Sequence, residues 1–150
     1  MTGARPRFVV CEDGTEYLDR FSRFLGDDFV FIAARDFEGA RALAADADAD
    51  GVLLDLDFRR TPPDRLVDER GPVAGALDPE RRRRLAETQG ILILRQLRAA
   101  GVALPAVLFA DLEDDQRRFL QQTLAPLTIG SSHLGIREIG ALLRGAVARR

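Results

Sequence analysis

The sequence predicts an α/β fold: a doubly wound, five-stranded parallel sheet with helices on both faces. Short, continuously apolar runs alternate with stretches whose apolar residues recur at helical spacing, the pattern of a parallel sheet covered on both sides. Acidic residues collect at the carboxyl ends of the runs, where open α/β sheets place their ligands. With 150 residues, 46% apolar and 31% charged, the chain has the size and composition of a single domain, 1–150, built on one sizeable core.

The first strand is "RFVVCED", ending at Glu12 and Asp13. "TEYLDRFSRFL" follows as a helix with Tyr17, Leu18, Phe21, Phe24 and Leu25 inward. "DDFVFIAARD" is the second strand, and Asp36 caps a helix through "FEGARALAADA" that turns Phe37, Ala40 and Leu43 to the core. "GVLLDLDF" is the third strand, ending at Asp55. "LPAVLFAD" is the fourth, "LEDDQRRFLQQTL" the helix after it, "LTIG" a short fifth strand, and "GIREIGALLRGAV" a closing helix with Ile136, Ile139 and Leu143 inward.

Residues 58–89 do not fit a minimal strand-helix repeat and read as an insertion rich in Pro, Gly and Arg. It carries its own helix start, with Asp78 as cap, Pro79 in the first helical position and Glu80 in the first turn. No further proline occurs before Gly101, so one long helix is predicted from Pro79 to about Ala99, packing Ile91, Leu94 and Leu97 on the sheet. Gly90 inside it costs about 1 kcal/mol relative to alanine, too little to break a packed helix.

Charge and composition narrow the function. The 22 basic and 24 acidic residues leave a net charge of −2, so nothing draws the chain to a phosphate backbone, and no nucleic acid is expected. All of the basic residues are arginine; lysine is absent. The apolar run near the N-terminus is too short for a signal peptide, and none has the length of a membrane span, so no membrane is expected and a cytoplasmic location is. Cys11 is the only cysteine and sits at a strand end, where it reads as an inert core thiol.

Carboxylates gathered at strand ends repel one another unless a cation or protons offset them. Glu12, Asp13 and Asp55 are of the type that binds Mg2+, and an Asp beside such an ion can act as a nucleophile towards phosphorus. Together with an acidic pair after the first strand, an acceptor-like Asp ending "DGVLLD", the strand "LPAVLFAD" and a short final strand and helix, the chain resembles the CheY-like receiver domains of bacterial response regulators. That resemblance implies that Asp55 is the phosphoryl acceptor, that Glu12 and Asp13 hold Mg2+, and that the backbone carbonyl of Asp57 completes its shell. Two positions depart from the family. Ala110 stands for the hydroxyl residue that binds and reports the phosphoryl group, and Ser131 or Ser132 for the lysine that pairs with it. The aromatic that changes rotamer falls near Thr128 or Ile129. Each lost partner of that charge-assisted kind is worth roughly 1.5–3 kcal/mol.

"VLLDLD" and "FADLEDD" also resemble motifs of haloacid dehalogenase-like phosphotransferases, but Phe58 replaces a usual glycine and two strand-helix units precede a motif that belongs on the first strand. Asp111, Asp114 and Asp115 read as caps and charges at the start of the following helix. His133, the only histidine, reads as an exposed loop residue, with a substitute cation facing the pocket as the sharper alternative. Arg81, Arg82, Arg83 and Arg84 read as a solvated helix face or a docking surface for an acidic partner. The expectation is a pseudo-receiver in bacterial two-component signalling that works through protein contacts rather than through a phosphorylation switch. The alternative is a phosphorylatable receiver using Asp55 and Mg2+. The family further implies a homodimer through the face formed by the fourth helix, fifth strand and last helix.

Overall fold

In the computed structural model, residues 4–46 and 48–148 are described. Five parallel strands, β1 (Arg7–Cys11), β2 (Val30–Ala34), β3 (Gly51–Asp55), β6 (Ala106–Phe109) and β7 (Leu127–Gly130), form a sheet in the order β2-β1-β3-β6-β7. The helices are α1 (Glu16–Leu25), α2 (Phe37–Asp46), α3 (Pro79–Glu87), α4 (Gln89–Ala99), α5 (Asp114–Thr123) and α6 (Ile136–Ala148). Two-residue strands β4 (Val67–Asp68) and β5 (Gly71–Pro72) make an antiparallel hairpin between β3 and α3.

Alternate residues of the central strands feed two separate cores. Val9, Cys11, Val52, Leu54 and Leu108 pack with Phe37 and Ala40 of α2, Ile93, Leu94 and Leu97 of α4, and Leu120 of α5. Phe8, Val10, Leu53, Val107 and Phe109 pack on the other face with Phe21 and Leu25 of α1 and Ile139 and Leu143 of α6. Each fully buried Leu or Phe contributes about 1.5–3 kcal/mol relative to exposure. Phe24 departs from the expected helical face: it is exposed, with the Arg23 guanidinium 5.2 Å from its ring centroid. Asp36 caps α2 as predicted, its Oδ1 accepting from the Gly39 N–H at 2.8 Å.

The sheet end opposite the strand carboxyl termini is fastened by Arg98. Its guanidinium donates to the carbonyls of Val102, Leu104, Leu124 and Pro126, and burial holds its pKa below the usual value.

The single long helix predicted over 79–99 is instead two helices that meet at Thr88, where φ is −120° and ψ 14°. The Asp78 cap does form, accepting from the Arg81 N–H at 2.9 Å. A continuous helix would direct the Gly90 N–H to the Ala86 carbonyl. Here the Ala86 carbonyl accepts from the N–H groups of Phe58 and Thr88, and Gly90 donates to Leu56 at 3.0 Å. Gly90 is the residue that permits this approach, since a Cβ there would lie 2.0 Å from the Asp55 carbonyl oxygen. The adjacent Gln89 is 1% exposed. Its amide pairs with both the N–H and the carbonyl of Val67 and donates to the Leu85 carbonyl. The insertion is thereby tied to the sheet through α4, with Phe58, Leu66 and Val67 buried beneath it.

Candidate functional site

The strand register gathers the acidic residues that the sequence singles out. Cys11 pairs with Leu54, which brings Glu12 beside Asp55. Asp55 pairs with Phe109 and Phe109 with Gly130, so Ala110 and Ser131 follow at the neighbouring strand ends.

Glu12, Asp13 and Asp57 on the β1–β3 side are each held by another group of the chain. Glu12 is 2% exposed, and its two oxygens accept from the N–H groups of Tyr17 and Leu18 at 3.1 and 2.9 Å. It therefore satisfies the first turn of α1, whose N-cap residue Thr15 makes no side-chain cap bond. Burial raises the Glu12 pKa, and those two N–H bonds oppose the rise. Asp13 accepts from the Arg60 backbone N–H and from Arg60 Nη2, both at 2.9 Å. The same guanidinium reaches Glu16 Oε1 through Nη1 at 2.8 Å. This fork holds the Glu16 carboxyl down at about 2 and raises the Arg60 pKa. Asp57 is gripped by Arg59, whose backbone N–H and Nε donate to it at 2.9 and 3.0 Å.

Asp55 accepts only from the Leu56 N–H, at 2.8 Å, and has no ion pair among the described residues. Its pKa is raised to about 6, first by burial and then by the charges of Asp13, Asp57 and Glu16, while the Leu56 bond opposes the rise. Tyr17, stacked on Phe109 at 5.2 Å, is pushed up to about 12 by burial and by Asp55 and Glu12.

The β6–β7 side is different in kind. Ala110 is buried at 3% and offers only a methyl group. Asp111 does not cap α5, whose N-cap is Glu113. Instead it accepts from the Ser131 hydroxyl at 2.8 Å, from the Ser132 N–H at 3.3 Å and from the Ser132 hydroxyl. These hydroxyls lower its pKa. Asp114 and Asp115 do lie in the first turn of α5, as expected, with Asp115 paired to Arg118. His133 is 87% exposed, its Nε2 3.8 Å from Asp111.

Among the described residues, no group of three or more His, Cys, Asp or Glu side chains is placed to hold a metal ion. The donor set accounts for this arrangement: the Glu12 oxygens face backbone N–H groups, and both Asp13 oxygens face Arg60. The residues as arranged do not fit Mg2+. Sequence reasoning missed Arg59, Arg60, Glu16 and Gln89. The signal for the first two was the run "DFRR", two cations directly after the acidic strand end.

The arginine turn of α3 stands beside this region. Arg81 pairs with Asp68 at 3.0 Å and Arg83 with Glu87 at 4.0 Å. Arg82 and Arg84 are exposed, and no side-chain partner of either occurs among the described residues. A cavity of about 850 Å³ opens against α3, lined by apolar Val73, Leu77, Pro79 and Ala86 and by Arg59 and Arg82 among others. Arg59 thus connects the cavity to Asp57 and the acidic pocket.

No protein-family model matches the chain, and no curated protein matches it in sequence. Solved structures do match. The signal receiver domain of a LuxO repressor protein from Vibrio parahaemolyticus is 14% identical at a TM-score of 0.68, over 97% of this chain and 92% of that one. CheY4 of Vibrio cholerae, a chemotaxis protein, is 12% identical at 0.66, over 95% and 99%. The BeF3-activated N-terminal receiver domain of Klebsiella pneumoniae RstA is 20% identical at 0.62, over 94% and 97%. The chain therefore has the CheY-like receiver fold. No described helix is long and apolar enough to cross a membrane.

Proposed function

We propose that this chain is a pseudo-receiver of bacterial two-component signalling, a cytoplasmic protein that acts through contacts with other proteins and responds weakly or not at all to phosphorylation. One observation carries the reading: the wall that would hold a phosphoryl group on Asp55 ends in the Ala110 methyl, while Ser131 and Ser132 are bound to Asp111. Neither a free hydroxyl nor an ammonium is available there, so an acyl phosphate would lack the charge-assisted partners that make its formation matter elsewhere in the molecule.

The contact surface we assign is the insertion. Arg82 lines the cavity without a side-chain partner among the described residues, and Arg84 is exposed on the same helix, which suits an acidic segment of a signalling partner with an apolar anchor. Homodimerisation through α5, β7 and α6 is the competing arrangement.

A second reading, a phosphorylatable receiver using Asp55, is favoured by the absence of any ion pair on that carboxylate among the described residues. Incubation with acetyl phosphate and MgCl2, followed by intact-protein mass spectrometry and size-exclusion chromatography, separates the two. Little stable modification and an unchanged oligomeric state are expected. Stoichiometric modification accompanied by dimerisation would overturn the pseudo-receiver reading.

A further inference from the structure

The acidic pocket already contains a cation, and it belongs to the chain. Arg60 lies just beyond β3, and three of its donors converge on two carboxylates from the start of the first strand-helix turn: backbone N–H to Asp13 Oδ2, Nη2 to Asp13 Oδ1 and Nη1 to Glu16 Oε1. The Asp13 side chain is 4% exposed, so the pair sits partly out of water on that side, whereas Arg60 is 57% exposed and can leave. The backbone makes room for the fork at Gly14, where a Cβ would lie 2.6 Å from Arg60 Nη2 and 2.4 Å from Glu16 Oε2. A carboxylate that accepts both from a guanidinium and from the N–H of the same residue has its two oxygens committed in one direction.

We infer that Arg60 is the resident counter-ion of this pocket, occupying Asp13 and Glu16 in place of a divalent cation, so that a divalent ion reaches Asp13 only by displacing the guanidinium. This rests on the reading of the pocket as a receiver-type site and deepens it. The loop after β3, which carries Asp57, Phe58 and Arg59, is held against the β1–α1 turn without metal. Removing the guanidinium leaves Asp13, Glu16 and Asp55 with one positive charge fewer among them, and the Asp13 side-chain oxygen that faced Nη2 becomes available to a hard cation.

The test is a Mg2+ titration read by thermal unfolding, in which an ion that binds the folded state raises the melting temperature with concentration. The wild-type chain is expected to show little shift up to millimolar Mg2+, and R60Q to bind Mg2+ about tenfold or more tightly than wild type, a difference of about 1.4 kcal/mol. The double variant D13N/R60Q should lose the gain. R59Q is the control for bulk charge, since Arg59 serves Asp57 instead, and should gain less than R60Q. Equal Mg2+ response in wild type and R60Q, a gain that survives D13N, or an R59Q gain matching that of R60Q would each overturn the proposal. Should R60Q fold poorly, R60K keeps a charge without the fork and is expected to respond between the two. Ion binding is read here without any phosphoryl donor, so this experiment and the acetyl phosphate experiment fail separately.

Discussion

The two sides of the acidic pocket hold similar residue types in opposite ways. On the β1–β3 side, Glu12 and Asp13 are buried or nearly so, and each binds backbone of another segment: Glu12 the first turn of α1, Asp13 the loop at Arg60. On the β6–β7 side, Asp111, Ser131, Ser132 and His133 form an exposed cluster that binds mainly within itself. The first set is part of the fold's hydrogen bonding; the second is a surface arrangement. Acidity at a strand end therefore does not report a binding site until the direction of each oxygen is known.

Substitutions should expose that difference, beginning where backbone meets backbone. Gly90→Ala would place a Cβ against the Asp55 carbonyl and is expected to cost about 3 kcal/mol or more in urea unfolding; a cost under about 1 kcal/mol would mean that α4 does not press on the end of β3. Glu12→Ala leaves the partly buried Tyr17 and Leu18 N–H groups without their acceptor and should cost about 1–2 kcal/mol. A neutral result would move Glu12 from the fold to the pocket.

Asp55→Asn should stabilise. Because the folded-state pKa of Asp55 is raised from 3.8 to about 6, the native state binds the proton more tightly than the unfolded state. The wild-type contribution is most favourable below the unfolded value and declines as pH rises through the folded one. The gain from Asn is therefore expected to be absent near pH 4 and to reach about 1–2 kcal/mol by pH 7.5. Unfolding curves at the two pH values check it, and a loss of stability at the higher pH would make Asp55 a structural acceptor. On the other side of the pocket, Ser132→Ala should change stability by no more than about 0.5 kcal/mol, as exposed substitutions do.

The layered fold was legible because β1, β3 and β6 are covered on both faces and so carry unbroken apolar runs, with Phe21, Leu97 and Leu143 at helical spacing against them. The break at Thr88 was not. The helix propensity of glycine is a local quantity, whereas the break is set by a contact between Gly90 and Asp55 that is distant in sequence. Phe24 was misplaced because a helix face read from spacing alone does not show where the neighbouring layer ends. At the site, the positions of Asp13 and Asp55 could be read from their strands. What neutralises Asp13 could not, because "RR" in a Pro-rich insertion has the same letters as a solvated loop.

Cys11, buried between Asp36, Glu12 and Asp55 at the end of β1, contacts the Asp36 carbonyl through its sulfur at 3.5 Å. Burial and those three carboxylates raise its pKa, keeping the sulfur protonated and away from reagents. The chain thus carries one built-in reporter at the junction of its first two strands, beneath the acidic pocket. A thiol-reactive dye added to the folded protein at a concentration where labelling outpaces reclosing reacts at the rate at which Cys11 becomes exposed, so labelling kinetics report the opening around β1 without an added probe.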